Sequence, residues 1–426
     1  MYAIYSFLLT IAALLSSPYW VIRGIRQRKY FGTVSQRISW RLPPKPSEER
    51  PLWLHAVSVG EVLAAKVLFA ALRLERPGLP VVISTVTLTG QALAKKEIPA
   101  AAAHFYFPFD WAFCVRRFLR RLDPCCVVIF DTEMWPNFLR SCKLRGVPAI
   151  IANGRISDTS FSRYLWFRFL TRPMLKTVRT IGAQTPEDRE RFFCLGAAED
   201  QLEVTGNLKY DFEPPDLESH RELLGLIRRS LALTAETPVL VVGSTMKGEE
   251  SVFLEAYRRV LSSVPATRLI IAPRHPERFG EVAELLGNAG MSFLRRSTLR
   301  ASPDEHAKIL LLDSVGELRS VYSLADIAVI GGSFLPFGGH NPLEPAALGK
   351  AIVFGPEMNN FREVARFFLH DHAALQCPPS SLAPALIHLL SNEKVRRSLG
   401  EQALLTLRKN QGAVHKTLRI VLPALK

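Results

Sequence analysis

Short apolar segments rich in β-branched residues alternate with helix-like stretches along most of the chain, and this alternation constrains its fold more than any other feature. The segments are residues 52–56, 80–85, 127–130 and 149–152 in a first series, and 239–242, 269–272, 309–312, 327–330 and 351–354 in a second. Such alternation is typical of βαβ units with parallel strands. Pro214-Pro215 marks a linker between the series. We therefore predict an α/β protein with two Rossmann-like domains facing a cleft, where ligands bind beyond the carboxyl ends of the strands.

The first 22 residues contain no charged side chain and precede a basic stretch. As an α-helix, such a segment spans roughly 33 Å, about the thickness of a hydrocarbon core. Residues 23–50 carry eight Lys and Arg against two Glu, and cations on that side keep the remaining chain in the cytoplasm. We predict a membrane anchor at 1–22 with a basic flank on anionic headgroups; an interfacial or core-packed helix is the alternative. A removable signal peptide is not predicted, because no cationic segment precedes the apolar run.

The balance of charges indicates an anionic partner. The chain has 426 residues, with 54 Lys and Arg against 39 Asp and Glu, so its formal net charge is +15. Nucleic acid, an anionic membrane and a phosphorylated substrate all fit this excess of cations. The mean hydropathy of +0.10 excludes a polytopic membrane protein. The six cysteines form no C-x-x-C pair, so we interpret them as free thiols in a reducing compartment.

The first predicted strand leads directly into a glycine turn and a carboxylate. Ser58-Val59-Gly60-Glu61 follows residues 52–56, and a helix-like stretch begins at Glu61. Gly60 permits a tight turn. Glu61 either takes a proton from an acceptor hydroxyl as a general base or is only a carboxylate favoured by the helix dipole.

Charged side chains also follow later strands of the first series. Asp131 and Glu133 either bind a metal ion or shape a site, unless Asp131 or Thr132 caps the next helix. Arg155 follows the next strand and suits an anion. Lys209 lies at the domain junction, where it either reaches a bound anion or is a solvated linker lysine.

The second series contains a dense string of glycines that predicts a sugar-nucleotide site. Gly331-Gly332 follows a strand, and residues 338–345 (GGHNPLEP) lead into a helix near Pro342. Paired glycines let the backbone approach a phosphate, and free N–H groups at a helix start bind it. Glu344 then accepts hydrogen bonds from ribose hydroxyls, while His340 is either part of the site or a structural histidine.

Other chemistries find little support in the sequence. It has no P-loop, dinucleotide fingerprint, zinc-protease or serine-hydrolase motif. His370-Asp371-His372 resembles a metal cluster, but we interpret it as a surface loop. Two basic segments suit a membrane interface or RNA, with a partly buried helix as the alternative; the predicted anchor favours lipid. They are the arginines Arg116, Arg117, Arg120 and Arg121, and the mixed cationic and aromatic residues 162–176.

Taken in order, these strings are similar to those of the Kdo transferase family (Kdo is 3-deoxy-D-manno-oct-2-ulosonic acid). The similarity covers essentially the whole chain. It is carried by residues 58–61, 132–137, 205–209, 243–245, 248–250, 273–279 and 338–344. The resemblance implies a GT-B glycosyltransferase at the cytoplasmic face of the inner membrane. It would move Kdo from CMP-Kdo to the lipid A precursor, lipid IVA, with inversion and without a metal or other cofactor.

The resemblance also implies roles for individual residues. Glu61 matches the general base, and Asp131 with Lys209 matches the positions that stabilise the transition state. The stretches that match CMP-binding segments are Pro273-Arg274, Val315-Gly316-Glu317 and Asn341-Pro342-Leu343-Glu344. Candidates for binding the acceptor or an anion are Ser58, Gly60 and Arg155.

Two positions depart from the family pattern. Asp131 stands where the family has Glu, which withdraws the carboxylate by one methylene group. Met246-Lys247 stands where the family usually has a His followed by a short, often acidic residue.

On this interpretation the chain divides into the anchor at 1–22, an acceptor-binding domain at 23–213, and a CMP-Kdo-binding domain at 214–426 that includes the C-terminal helices. The expected partners are CMP-Kdo, the lipid A precursor and the anionic inner membrane, but not nucleic acid. Two alternatives are another membrane-associated GT-B enzyme with a nucleotide sugar and a lipid-linked acceptor, and a basic nucleic-acid-binding protein. The second lacks any RNA-module signature.

Overall fold

The computed structural model describes residues 2–27, 31–211, 215–299 and 307–425, with backbone only for 17–27, 31 and 32. Its contacts divide the chain into two compact units. The first unit comprises Met1–Phe212 together with Asn410–Lys426, and the second comprises Glu213–Lys409. The predicted boundary between 213 and 214 lies outside the described residues.

The first unit contains a seven-stranded sheet in the order β3-β2-β1-β4-β5-β6-β7. All its paired strands are parallel. The strands are β1 Leu52–His55, β2 Val81–Thr85, β3 Ala103–Tyr106, β4 Cys126–Phe130, β5 Ala149–Gly154, β6 Thr180–Ala183 and β7 Leu202–Val204. The helices are α1 Tyr2–Gln27, α2 Phe31–Arg37, α3 Val59–Glu75, α4 Leu88–Glu97, α5 Ala112–Leu122, α6 Pro136–Leu144, α7 Asp158–Trp166, α8 Arg168–Leu175 and α9 Pro186–Leu195.

The second unit repeats this architecture, with the strand order β10-β11-β9-β8-β12-β13-β14 and parallel pairing throughout. The strands are β8 Val239–Thr245, β9 Arg268–Pro273, β10 Phe293–Arg295, β11 Ile309–Leu311, β12 Ile327–Ile330, β13 Ala351–Phe354 and β14 Leu375–Gln376. The helices are α10 Arg221–Ser230, α11 Glu249–Ser263, α12 Phe279–Asn288, α13 Leu318–Val321, α14 Leu343–Ala347, α15 Arg362–His370, α16 Leu382–Ser391 and α17 Glu393–Asn410.

Both sheets bury side chains on two faces, as parallel sheets require. Along β1, Leu52 and Leu54 join one buried cluster, whereas Trp53 joins the cluster on the opposite face. The Trp53 ring packs edge-on against Phe105 and Phe138, with centroids 5.3 and 5.0 Å apart. The nine strands predicted from apolar runs are all present, which confirms the α/β class.

The last helix, α18 Ala413–Val421, belongs to the first unit. Leu418 and Val421 are buried in the cluster that also contains Leu54. The Asp211 carboxylate accepts the N–H groups of Gly412 and Val414 and so fixes the start of this helix. The sequence predicts one domain for 214–426, but the structure groups 410–426 with the N-terminal sheet, because their apolar face is buried there.

Helix α1 packs on the first unit through its polar face. The Tyr5 hydroxyl bonds to Asp110, and Ser6 Oγ accepts a hydrogen bond from Asn137 Nδ2 at 3.0 Å. The opposite face exposes apolar side chains, namely Ile4, Phe7, Leu8, Leu14 and Leu15. Within the part of the chain that the structure describes, no helix combines the length and the apolar character needed to cross a bilayer. The anchor at 1–22 therefore stays a prediction.

Candidate active site

Glu61 lies in the first turn of α3, immediately after β1. Its carboxylate accepts the Val57 N–H at 2.7 Å and the Ser58 hydroxyl at 2.9 Å, and only 7% of the residue is exposed. The turn between β1 and α3 thus supplies both donors that hold the Glu61 side chain in place. Glu61 is therefore a carboxylate at the start of a helix, as the sequence predicts. Whether it can also act as a base depends on its pKa.

Burial raises the pKa of Glu61 to about 8, and the neighbouring Asp131 carboxylate adds to the rise. The two hydrogen bonds from Val57 and Ser58 act in the opposite direction, and the charge on Glu133 raises the pKa further, to a smaller extent. A carboxylate with only a capping role is stabilised in its charged form and has a depressed pKa. A pKa near neutrality instead suits proton transfer.

Asp131 is held at the end of β4 by the neighbouring strand. Its φ is 57°, an uncommon conformation for a residue with a side chain. Asn153, at the end of β5, donates from Nδ2 to Asp131 Oδ1 at 2.7 Å, and its Oδ1 accepts the Leu208 N–H at 2.9 Å. A single buried amide therefore ties the Asp131 carboxylate to the turn that carries Lys209.

Lys209 reaches the same place from that turn. A Cβ added to Gly60 would lie 3.4 Å from Lys209 Nζ, so the amine lies next to the start of α3. Burial raises the pKa of Asp131, whereas Lys209 and, less strongly, Arg155 lower it. Glu61, Asp131, Arg155 and Lys209 thus form one cluster of two carboxylates and two cations, which we call the carboxylate–lysine cluster.

Other residues of the Asp131 loop have structural roles that the sequence did not predict. The Thr132 hydroxyl donates to the Arg155 carbonyl. Helix α6 is capped by neither Asp131 nor Thr132; Asp110 accepts the N–H groups of Asn137 and Phe138 at 2.9 and 2.8 Å. The capping alternative was therefore wrong. Among the described residues, no group of three or more His, Cys, Asp or Glu is arranged to hold a metal ion.

In the second unit, Glu249 organises the glycine loop after β12. Its carboxylate accepts three backbone N–H groups: Gly332 at 2.6 Å, Met246 at 2.9 Å and Phe334 at 3.0 Å. Glu250 beside it is also buried and forms a two-pronged ion pair with Arg278, with N–O distances of 2.7 and 3.0 Å. Two adjacent carboxylates thus fix the loops that follow β8, β9 and β12.

The paired glycines are required by close packing. A Cβ on Gly332 would lie 2.8 Å from the His340 ring, and one on Gly339 would overlap Met358 Sδ. Burial lowers the pKa of His340 to about 4, with a contribution from Arg274. His340 is therefore neutral at pH 7. Its Nε2 is buried and has no hydrogen-bond partner among the residues that the structure describes.

Two cations, Arg319 and Arg274, act on the Glu344 carboxylate. Asn341 Nδ2 donates to its carboxylate at 3.5 Å, and Arg319 Nε lies 3.9 Å away. Burial raises the pKa of Glu344, against Arg319, Asn341 and Arg274, which lower it. The helix predicted near Pro342 is α14, which has only five residues. Such a short helix has little dipole, so the predicted phosphate site would depend on the loop rather than on this helix.

The other residues predicted to bind CMP lie on two different turns. Pro273 ends β9, and the Arg274 N–H donates to the Thr245 carbonyl at 3.0 Å, with the side chain exposed. Val315 and Gly316 form an exposed turn. Glu317, by contrast, binds Arg296 through two bonds of 2.8 and 3.0 Å. The Glu317 carboxylate is thus occupied within the protein.

Two residues of these sites were not singled out from the sequence. Asn153 lies at the end of a predicted strand. A polar amide among apolar strand residues was the one sequence signal that it has a role in the site. Glu249 lies in the Gly248-Glu249-Glu250 string, but nothing local indicated that two of its three partners come from a loop more than 80 residues away.

The fold places the chain in a class of two-unit α/β proteins. It is similar to MurG from Acinetobacter baumannii (TM-score 0.54, 14% identity, 88% of this chain and 100% of that one). It is equally similar to the UDP-GlcNAc 2-epimerase from Neisseria meningitidis (TM-score 0.54, 11% identity, 88% and 100%). At these identities the likeness establishes the fold alone.

Sequence relatives identify the family within this class. The family model for 3-deoxy-D-manno-octulosonic-acid transferase matches residues 27–212. The chain is 35% identical to the 3-deoxy-D-manno-octulosonic acid transferase of Haemophilus influenzae, over 88% of this chain and 87% of the relative. The corresponding protein of Bordetella pertussis is 34% identical, over 86% of each chain. The chain belongs to the Kdo transferase family and is a glycosyltransferase.

Proposed function

We propose that the chain transfers Kdo from CMP-Kdo to lipid IVA, the lipid A precursor, with inversion at the anomeric carbon. The acceptor hydroxyl oxygen forms a bond to that carbon while the bond to the CMP phosphate oxygen breaks, and the hydroxyl proton passes to Glu61. The carboxylate–lysine cluster carries this proposal, since it places a carboxylate with a pKa of about 8 among the residues that the family resemblance assigns to catalysis.

The remaining members of that cluster have electrostatic roles in the proposal. Lys209 and Arg155 offset the negative charge that develops on the leaving phosphate. Asp131 orients Lys209 and keeps Glu61 from ionising too readily, because two neighbouring carboxylates resist carrying two charges. Asn153 holds Asp131 in position through its 2.7 Å hydrogen bond.

For the donor, we propose that CMP binds the second unit. The loops that Glu249 fixes present backbone N–H groups to the phosphate, and Glu344 accepts hydrogen bonds from the ribose. Arg274 and Arg319 lie near Glu344 and add positive charge for the phosphate and the sugar carboxylate.

We further propose that the protein works at the cytoplasmic face of the inner membrane. The exposed apolar face of α1 supports this location, together with the net +6 charge of residues 23–50. An amphipathic helix of this kind lies in the interface with its apolar side among acyl chains. The anionic acceptor and the anionic leaflet then account for the basic character of the whole chain.

The test is incubation of the purified protein with lipid IVA and a CMP-Kdo-generating system, followed by mass spectrometry of the lipid. We expect a product heavier by Kdo, and we expect it to form equally well with EDTA present during the transfer step. Supplying pre-formed CMP-Kdo for the EDTA arm keeps chelation from affecting the generating system. Absence of any Kdo-bearing product would reject the assignment, and loss with EDTA reversed by magnesium would make Asp131 and Glu133 candidate metal ligands.

A further inference from the structure

Helices α5 and α6 enclose a cavity of about 200 Å³ lined by arginines. Its cations are Arg116 and Arg120 from α5, Arg140 from the middle of α6, and Arg145 from the position after α6. We call this the arginine groove. Ser141 and Asn137 also line it, and no carboxylate is among its lining residues.

The charges in the arginine groove are poorly balanced by the protein. Arg145 lies 3.4 Å from Asp123, but that carboxylate is also 3.4 Å from Arg50. Arg140 lies over the Tyr2 ring, 4.6 Å from its centroid, a contact that leaves the charge in place. Guanidinium groups stay protonated at any physiological pH. Bringing four together therefore costs electrostatic energy, which a bound anion would offset.

The residue type indicates which anion. The planar guanidinium fork matches the oxygen geometry of phosphate with two parallel hydrogen bonds, whereas a lysine acts as a point charge. The cavity is also too large for a single water molecule and suits a headgroup-sized ligand. The groove is therefore fitted to a phosphate group.

The surroundings of the groove indicate where that phosphate comes from. Leu144, which lines it, is 74% exposed, and Phe113, which follows the lining residue Ala112 in sequence, is 56% exposed. Helix α1 starts at the groove, through Tyr2 on Arg140 and Ser6 bonded to Asn137, and its outer face is apolar. A lipid with a phosphate headgroup would match both features, because its phosphate fits the arginines and its acyl chains fit the apolar side chains.

We propose that the arginine groove is a binding site for the phosphate of an anionic lipid headgroup. It docks the first unit on the membrane in a defined orientation, with α1 on the acyl chains and α5 and α6 at the headgroup level. None of its residues has a role in the transfer reaction described above, so the site adds a function to that reaction.

The same helix offers a matched control. Arg116→Gln with Arg120→Gln removes two charges from the groove. Arg117→Gln with Arg121→Gln removes two charges from exposed positions of α5 that do not line it. Arg121 donates to the Pro43 carbonyl, so the melting temperature of each variant is measured first. Arg120→Gln alone serves as a milder groove variant if the double variant is unstable.

The measurement is flotation of the full-length protein with phosphatidylcholine vesicles, with and without phosphatidic acid. Each cation near an anionic surface raises membrane affinity by about fivefold. The variant with Arg116→Gln and Arg120→Gln (the groove pair) should therefore bind the acidic vesicles about 30-fold less tightly. The control pair should lose much less. Equal losses in the two pairs would mean diffuse attraction and would overturn the site, as would the absence of any loss.

Two further experiments distinguish a lipid phosphate from a soluble one, and docking on the membrane from binding of the acceptor. Inorganic phosphate should not raise the melting temperature of the wild-type protein; a rise that the groove pair abolishes would assign the groove to a soluble phosphate ester and overturn the lipid source. Kdo transfer to lipid IVA in detergent micelles should be unchanged in the groove pair. A loss of transfer there would mean that the groove binds the acceptor itself, and would overturn its role in docking on bulk lipid.

Discussion

At the residue scale, Glu61 has two hydrogen bonds that favour its charged form and an environment that opposes it. Burial and the charge on Asp131 prevail, which gives a pKa of about 8. A residue poised in this way can accept a proton from a hydroxyl and release it again at a working pH near neutrality.

Glu61→Gln should lower kcat by at least ~100-fold, because the amide retains the shape but cannot accept the proton. CMP affinity should be unchanged, since donor binding is assigned to the second unit. Glu75→Gln, at the exposed other end of α3, is the matched control and should retain full activity. Near wild-type transfer by Glu61→Gln would make Asp131 the next candidate base.

The pH dependence follows from the same pKa. Only ionised Glu61 accepts a proton, so kcat/KM should rise about tenfold per pH unit below a pH of about 8 and then level off. Unfolded Glu61 ionises near pH 4.5, whereas the folded protein keeps the proton up to a pH of about 8. As the pH rises from 4.5 to about 8, the wild type should therefore lose stability relative to Glu61→Gln. Activity profiles and melting temperatures of both proteins check the two signs, and a flat activity profile would contradict the role.

Glu344→Ala tests the donor site. If its carboxylate accepts ribose hydroxyls, its loss should cost about 1.5–3 kcal/mol, or about 10–100-fold in CMP affinity. Calorimetry with CMP measures this directly, and Glu284→Ala on the exposed face of α12 is the control. Unchanged affinity in Glu344→Ala would rule out the ribose role.

At the scale of elements, both sites are built at the carboxyl ends of parallel strands, where loops from neighbouring strands meet. In the first unit the loops after β1, β4 and β5 converge through Asn153 and Lys209. In the second unit the loops after β8 and β12 converge on Glu249.

Glu249→Gln should loosen that second set of loops. A carboxylate accepts three N–H groups here, whereas the amide offers one oxygen and turns an N–H group toward other N–H groups. We expect a stability loss of about 1–3 kcal/mol and weaker CMP binding, measured by thermal unfolding and calorimetry. Glu255→Gln, exposed on the same helix, should change neither. Intact CMP binding in a destabilised Glu249→Gln would show that the loop does not contact the nucleotide.

At the scale of the whole molecule, the chain leaves the first unit at its linker and returns to it at the last helix. Leu418 and Val421 complete the buried cluster behind β1 and β4. The stability of the N-terminal unit therefore depends on residues more than 350 positions from its first strand.

Leu418→Ala should destabilise the first unit by about 2–5 kcal/mol, as do other large-to-small changes in a core. All six tryptophans lie before residue 167, so tryptophan fluorescence during denaturation reports on the first unit alone. Lys416→Ala, exposed on the same helix, is the control. An unchanged fluorescence transition in Leu418→Ala would mean that α18 is not part of the first unit's core.

The sequence predicted nine central strands but missed five others. Four of the five, β3, β7, β10 and β14, are edge strands with partly exposed side chains, so they lack a continuous apolar run. The fifth, β6, is a central strand that contains Gly182, where a Cβ would lie 2.8 Å from Thr205 Oγ1. There the sheet is packed by small residues, which apolar periodicity does not detect.

The two α/β units, the family and the residues of the proposed sites could all be predicted from the sequence, because apolar periodicity and short motifs are local properties of a chain. The three-dimensional structure was needed to show which unit buries α18, which residue caps α6, and that Asn153 and Glu249 hold the loops together. Each of those outcomes depends on hydrogen bonds or apolar contacts between residues far apart in sequence. Spacing along the chain carries no record of such pairs.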